Sequence, residues 1–472
     1  MLGVSLLLAA EIILRVAGIG RVSHEDPFVG FKGVNPLFRL SADGSRLEVA
    51  EAKLKFFSPE SFPATKADNT FRIFSLGGST VKGRPYSKET SFSTWLGLAL
   101  EAAAPRRNWE SINCGGISYA SYRLVHIMRE CLNHSPDLFV ICTGHNEFLE
   151  DRTYAGIKDI PTPLVVSQNW ASRLHLYRGL QSLFAPKSDA DTNRYEMSAE
   201  VQALLDYRGG LEVYDRNEDW RADVVRHFEH NLRTMIAMAR AAGVPVILVR
   251  PPNNLRNCPP FKSQHQNDLG LDQVLVWESE IETAQTYYQT DLKLAVKHLQ
   301  NALTIDSRYA STHYGLGKCY ELLGQRAEAM KAFERAIEED ICPLRMIKPL
   351  IVAMNRVAAD THTPLIDAHR LLEKNSRFQI LGNDQLVDHI HPSIDGHKII
   401  ADAILRQIAK EKRIHPVDGW EKQRDEKYQK HFATLDAAYF AAARRALHGL
   451  NEWAAGRAEG MPIEGQPSPT KP

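Results

Sequence analysis

Apolar runs of strand type recur at residues 71–76, 109–113, 138–143, 244–249 and 364–366. Stretches with Leu, Ile and Ala at helical spacing lie between them, at 91–103, 119–132, 223–242 and 346–360, and a last one follows at 395–410. A strand, helix, strand cadence of this kind predicts a parallel sheet covered by helices on both faces, with right-handed connections.

The pattern changes between the fourth and fifth strands. His313-Tyr-Gly-Leu316-Gly317, Tyr320 and Gly324, followed by Ala329, Phe333 and Ala336, resemble the tetratricopeptide repeat, in which two helices cross at small residues. About one repeat length earlier, Ala295, Leu299 and Ala302 occupy the second-helix positions of a degenerate predecessor at 277–306. Roughly three repeats are normally needed for independent stability, so this insert is expected to lean on the rest of the chain or on the helices near 420–453. Such repeats usually present a groove to a protein partner, and a purely architectural insert is the plainer alternative. Gly315-Leu-Gly317 is a poor nucleotide loop, because no strand precedes it.

The stretch from 148 to 220 is too long for a simple connection and carries Trp170, Tyr177, Phe184, Tyr195 and Tyr207, so it reads as a lid or an extra packed subdomain. The chain divides into an expected anchor segment 1–22, a lead-in 23–68, a first α/β part 69–265, the helical insertion 266–345, a second α/β part 346–412, and a helical tail 413–472 whose Pro/Gly-rich end from 460 is expected to be disordered.

Lys plus Arg equals Asp plus Glu at 57 each, which leaves no overall field to attract nucleic acid. The six cysteines show neither the tight pairing of a metal ribbon nor that of a small disulfide scaffold. Residues 3–20 are apolar and close to the roughly 20 needed to cross a bilayer. Glu11 and Arg15 lie inside that run, four apart, where each costs about 2.5 to 3.5 kcal/mol unless paired. A retained membrane anchor is the expectation, although Arg21 follows the run and no basic residue precedes it, against the usual charge bias for export.

Candidate chemistry sits at strand ends. Ser79 follows Gly77-Gly78 at the end of the first apolar run, where an open α/β sheet presents a nucleophile. Asp388-His389-Ile390-His391 supplies a histidine base and a carboxylate to hold it, in the chain order Ser, Asp, His. Two further runs end at Asn113-Cys-Gly115-Gly116 and at Gly144-His145-Asn146-Glu147; a Gly115 N–H and the Asn146 amide would suit a developing oxyanion. Each residue also has a plain structural reading: Ser79 as a turn or cap serine, His391 as a satisfied core histidine, Asn253 and Asn254, candidates to line the pocket after the fourth strand, as turn residues, and His397 as packing or capping within the last helix. His389 with His391 offers a weaker zinc alternative, since no further His or Cys cluster accompanies them.

These four blocks resemble the SGNH hydrolases, also called the GDSL esterases and lipases, with the signature residues falling on Ser79, Gly115, Asn146 and His391. The resemblance spans roughly 69–265 and 346–410. It implies an α/β protein with a three-layer α/β/α flavodoxin-like fold and a parallel five-stranded sheet, to which the all-α tetratricopeptide-like insertion is added. It further implies a serine esterase acting through an acyl-enzyme on small-molecule, lipid or glycan esters, without cofactor or metal. Ser79 would be nucleophile, His391 general base, Asp388 its orienting carboxylate, and Ser79, Gly115 and Asn146 the oxyanion hole. An extracytoplasmic catalytic domain is likewise an implication of the family. Two departures stand out: Gly78 replaces the acidic residue that usually precedes the serine, and Glu147 replaces the aspartate after the asparagine. A sugar O-acyltransferase would share every one of these residues, a lipid or thioester hydrolase would need a longer apolar channel, and a non-catalytic scaffold would use only the repeat. The Gly-x-Ser-x-Gly elbow of α/β-hydrolases is absent around Ser79.

Overall fold

The computed structural model describes residue 26 and residues 28–150, 195–204 and 210–455. The expected anchor at 1–22, the residues 151–194 of the long connection and the tail from 460 lie outside the described residues.

Five parallel strands, β1 (Thr70–Gly77), β2 (Asn108–Gly115), β3 (Leu138–Cys142), β4 (Val246–Arg250) and β5 (Leu365–Asp367), form one sheet in the spatial order β5-β4-β3-β1-β2. This is the flavodoxin-like order, in which the chain reverses direction between β1 and β3 and opens a crevice at their carboxyl ends. Every residue of β3 is buried, which explains why its sequence is a continuous apolar run rather than an alternating one.

The helices are α1 (Phe92–Ala103), α2 (Ser121–Cys131), α3 (Glu218–Ala241), the inserted α4 (Leu271–Tyr288), α5 (Leu292–Ile305), α6 (Ala310–Leu322) and α7 (Arg326–Glu339), then α8 (Lys348–Asp360), α9 (Ile394–Lys410), α10 (Trp420–Phe432) and α11 (Ala437–Ala455). Side chains at start positions set several boundaries: Asn217 accepts the Trp220 N–H to open α3, and the Ser393 hydroxyl accepts the Gly396 N–H to open α9. On one face, α1 and α9 bury Trp95, Leu96, Ile400, Ile404 and Ile408 against Ile73, Val140, Ile247 and Val249. Each such side chain contributes about 1.5–3 kcal/mol when taken fully from water. On the other face α2 packs on β1, α8 on β4, and α3 against both helices. The expected three layers are therefore present.

The insertion forms two helical hairpins whose facing positions are small. A Cβ on Gly317 would lie 2.6 Å from the Phe333 ring, so α6 and α7 meet more closely there than a side chain permits. Its polar ties run to the α/β part. Tyr314 donates to the Arg256 carbonyl at 2.9 Å, and the Asp340 carboxylate accepts the N–H groups of Phe261 and Lys262. Glu339 receives Arg216 at 2.7 Å and Arg308 at 3.0 Å, and Arg326 donates to the Phe378 and Gln379 carbonyls. Beyond α9, α10 lies on α1, with Tyr428 donating to the Trp95 carbonyl at 2.9 Å.

The lead-in holds more structure than its pattern predicts. Phe38–Leu40, Arg46–Val49 and Ser61–Pro63 form a three-stranded antiparallel sheet within the unit that comprises 35–150 and 201–455. In a second unit, Val29–Phe31 pairs in parallel with Tyr195–Met197.

Candidate active site

Ser79 is the first residue of a short helix, Ser79–Lys82, that starts directly after β1. As the first helical residue its N–H has no acceptor within the helix. Its hydroxyl lies 2.8 Å from His391 Nε2, closing a separation of 312 positions in the chain. The other ring nitrogen, His391 Nδ1, lies 2.6 Å from Asp388 Oδ2. Ser79 is 6% exposed and His391 2%.

The loop carrying the base is shaped by its own aspartate. Asp388 Oδ1 accepts the N–H groups of Ile390 at 2.9 Å and His391 at 2.8 Å, and the Val387 N–H donates to the His391 carbonyl. Burial by itself would raise the Asp388 carboxyl, but the electrostatic attraction of the His391 and His389 rings, the His391 hydrogen bond and the Ile390 N–H outweigh it and hold the group well below the usual carboxylate range. Asp388 is therefore ionised and fixes the His391 proton on Nδ1, leaving Nε2 to accept from the serine.

Asn254 anchors this loop from the segment after β4. Its side chain donates to the Asp388 carbonyl at 2.8 Å and its N–H to the His389 carbonyl at 2.9 Å. Asn253 is equally internal, pairing both side-chain atoms with the Met346 backbone. Neither is a simple turn residue; both brace the site, a role that nothing in the local sequence signals.

Asn146 lies in the loop that follows β3. Its Nδ2 donates one hydrogen to the Tyr119 carbonyl at 3.0 Å, which fixes the amide's orientation and leaves a second N–H on the same nitrogen. Tyr119 is held in turn by the lead-in: its ring packs edge-on against Phe56 and Phe57, and Lys53 donates to its hydroxyl at 3.1 Å. Glu147 is fully buried and receives the Ser121 N–H at 2.9 Å and the Ser121 hydroxyl at 2.8 Å, so it ties the loop after β3 to the start of α2.

Gly115 behaves differently from the expectation. Its N–H donates to Asn113 Oδ1 at 2.9 Å, and a Cβ there would lie 2.1 Å from the Lys82 nitrogen. The residue is placed against the serine helix, with its donor already engaged, because Asn113 turns back at the strand end and also donates to the Val81 carbonyl.

Four other histidines cluster in the buried interior. His397 Nδ1 accepts the Phe92 N–H at 3.2 Å and His369 Nδ1 the Asn253 N–H at 3.1 Å; burial pushes both rings down to about 3. Burial, partly opposed by Asp388, lowers His389 to about 4. Burial, reinforced by His389 and His391, holds His145 well below its ordinary value. His389 and His391 have ring centroids 6.0 Å apart, but both nitrogens of His391 are engaged by Asp388 and Ser79. Among the described residues no group of three or more His, Cys, Asp or Glu side chains is placed to hold a metal ion. All six cysteines are buried and free, with Cys114 and Cys131 sulfurs 4.0 Å apart.

No curated protein matches the chain in sequence. The tetratricopeptide repeat family model matches residues 287–340. Solved structures that resemble the chain include an acetylxylan esterase from Geobacillus stearothermophilus, at 13% identity, covering 73% of this chain and 96% of its own, with a TM-score of 0.31. A lipase/acylhydrolase from Enterococcus faecalis is similar at 15% identity, covering 74% and 100%, with a TM-score of 0.33. A putative lipolytic protein of the G-D-S-L family from Desulfitobacterium hafniense aligns at 11% identity over 72% and 99%, with a TM-score of 0.31. By its own strand order the chain has a flavodoxin-like α/β fold in which Ser79 and His391 meet, with a segment matching the tetratricopeptide repeat model inserted between its fourth and fifth strands.

Proposed function

We propose that the protein is a serine-dependent hydrolase of acyl esters. The observation that carries this reading is the unbroken relay from Ser79 Oγ to His391 Nε2 at 2.8 Å and from His391 Nδ1 to Asp388 at 2.6 Å. In the proposed reaction His391 Nε2 takes the Ser79 proton as Oγ bonds to the ester carbonyl carbon. The carbonyl oxygen becomes an oxyanion, held by the Ser79 N–H and the second Asn146 Nδ2 hydrogen. Collapse breaks the bond to the alcohol oxygen, which leaves with the proton from His391. Water, deprotonated by the same nitrogen, then attacks the acyl-enzyme and releases the acid. In this scheme Gly115 contributes close packing of the serine helix, and the oxyanion donors are the other two.

Ser79→Ala and His391→Ala are each expected to abolish turnover of short p-nitrophenyl esters, and a fluorophosphonate probe should label Ser79. Retained turnover in the serine variant would remove the mechanism. Transfer to a sugar hydroxyl would use the same relay with that hydroxyl in place of water, and product analysis in the presence of acceptors separates the two.

Attachment to a membrane through residues 1–22, with the catalytic part outside the cytoplasm, belongs to the same proposal and is supported by the apolar run there. Among the described residues no helix is long and apolar enough to cross a membrane. Fractionation of the full chain after alkaline carbonate extraction tests it, and release into the soluble fraction would refute it. The repeat at 287–340 is compatible with a protein partner.

A further inference from the structure

Arg345 lies in the connection between α7 and α8 and is 1% exposed. Its Nη1 donates to the Asn254 carbonyl at 2.9 Å and to the Cys258 carbonyl at 2.7 Å, and its Nη2 donates to the Pro259 carbonyl at 3.1 Å. Asp340, the residue that ends α7, stands 3.5 Å from the same guanidinium and accepts the N–H groups of Phe261, Lys262 and Cys342. A cation this deep is tolerated only when it is paired and hydrogen-bonded, and here its bonds go to three carbonyls of one short segment. Only a planar fork of donors reaches several carbonyls at once, which is why the residue is arginine.

The repeat grips the same segment through α6. The Ser311 N–H donates to the Ser263 hydroxyl at 2.9 Å, Tyr314 donates to the Arg256 carbonyl at 2.9 Å, and Glu321 stands 3.7 Å from Arg256 Nε. Ser311, Tyr314 and Glu321 share one face of α6, so that face is occupied by the chain's own residues 256–263. The segment begins at Asn254, which supports the base loop: its side chain donates to the Asp388 carbonyl at 2.8 Å and its N–H to the His389 carbonyl at 2.9 Å. Asn254 Oδ1 accepts the Asn257 N–H at 2.9 Å, which fixes the orientation of that side chain. An unbroken path therefore runs from Arg345 to Asn254, from Asn254 to the 388–389 backbone, and from Asp388 to His391 Nδ1.

We propose that Arg345 is a positioning residue for the catalytic base: it holds the Asn254 peptide, and through Asn254 it fixes the loop that carries Asp388 and His391, tying that loop to the end of the repeat insertion. Arg345 and His391 are joined only through these intermediates, so the arginine acts on alignment and not on the substrate. Without it the turn from Asn254 to Pro259 loses three carbonyl ties, and the two donors that Asn254 presents to the base loop are free to shift. Proton transfer from Ser79 across 2.8 Å tolerates little displacement, and a misplacement on the order of 1 Å costs about 10²-fold in rate. The loss falls on turnover, because the displaced groups move a proton and do not hold the ester.

This inference rests on the esterase reading, and the test separates the two. Arg345→Met combined with Asp340→Asn removes both buried charges together, so neither is left uncompensated. Measured per Ser79 labelled by a fluorophosphonate, its kcat on a short ester should fall by about 10- to 100-fold with KM nearly unchanged. Asn254→Ala should fall similarly, and adding it to the first variant should cost little more, because residues on one path are not additive. Losses that multiply overturn the proposal. Glu339→Ala, which loosens the insertion without touching Asn254, should keep wild-type kcat per labelled serine; an equal loss there shows a general structural effect and also overturns it. A readout independent of turnover is the proton between His391 Nδ1 and Asp388 Oδ2, which at 2.6 Å should resonate far downfield. That resonance should move upfield in the Arg345 variant and stay in Glu339→Ala. Arg345→Lys, which keeps the charge beside Asp340 and loses the fork, should shift kcat and the resonance in the same directions by less. Wild-type kcat with an unmoved resonance in either Arg345 variant overturns the positioning role. A wild-type protein that neither hydrolyses esters nor takes the probe would remove the esterase reading, while the resonance still decides whether Arg345 holds the base.

Discussion

Gly78 and Asn146 meet where a side chain is missing: a Cβ built on Gly78 would lie 2.5 Å from Asn146 Nδ2. The backbone at Gly78, with φ of −84° and ψ of −155°, is open to any residue, so the demand for glycine there is spatial and not conformational. The departure from the usual acidic residue before the serine is thus matched to the asparagine that faces it. Gly78→Ala, and more so Gly78→Asp, should displace the Asn146 amide and lower kcat by about 10²–10³, the loss typical of one oxyanion donor. Steady-state kinetics on a short ester, with circular dichroism to verify folding, reads the effect; wild-type kcat in the Asp variant would show that Asn146 does not act as a donor.

Asp388→Asn should lower kcat by about 10⁴. An amide facing His391 Nδ1 favours the tautomer with hydrogen on Nε2, which then points a donor at Ser79 and cannot take its proton. Substrate affinity should change much less than turnover, and a kcat within tenfold of wild type would count against the orienting role.

Acid should destabilise the fold well before the carboxylates titrate. His369 and His397, lowered to about 3, and His389, lowered to about 4, are neutral when folded and take up protons near 6.5 when unfolded. Their folded values are depressed, so the stability they contribute is complete above 6.5 and is lost as pH falls toward 4 and 3, at up to about 1.4 kcal/mol per pH unit for each ring. Asp340 acts in the opposite sense. Burial raises it to about 6, so it favours the folded state below the unfolded value of 3.8 and ceases to do so as pH rises through 6. Urea midpoints should fall progressively more steeply as pH is lowered from 7 to 5, because the histidines take up protons on unfolding across this range and Asp340 offsets only part of that uptake. A flat profile would contradict the buried, neutral state of these rings.

Glu339 joins the insertion to the α/β part, being 3% exposed at its side chain and contacted by Arg216, Arg308 and Arg335. Removing one member of a buried ion network leaves the others uncompensated, at about 3–5 kcal/mol. Glu339→Ala should therefore destabilise the whole protein by that order, whereas the exposed Glu334→Ala should be close to neutral. Chemical denaturation of the two variants distinguishes them. The isolated segment 266–345, deprived of Arg216, Arg256 and the Phe261–Lys262 backbone, is expected not to fold.

The chemistry of the site was legible because it is local. A carboxylate three residues before a histidine, a serine after paired glycines and an asparagine after a buried run are each readable from neighbouring residues. What surrounds them was not. The lead-in strands are short and weakly patterned, yet they carry the Phe56 and Phe57 that hold Tyr119 and through it Asn146. Asn253 and Asn254 look like turn residues because their partners, Met346 and Asp388, lie 93 and 134 positions away. Gly115 looked like a donor by its place at a strand end, but only the packed structure shows its N–H taken by Asn113.

The amino-acid sequence by itself determined the order of strands and helices, the helical insertion and the identity of the serine, aspartate and histidine, since periodicity and residue chemistry act over a few neighbours. Only the tertiary structure decided which groups meet across the chain: that His391 reaches Ser79, that Gly78 makes room for Asn146, and that His145 and His389 are enclosed beside the relay. Those relationships depend on strand register and on the closeness of packed surfaces, and no short stretch of the chain encodes either.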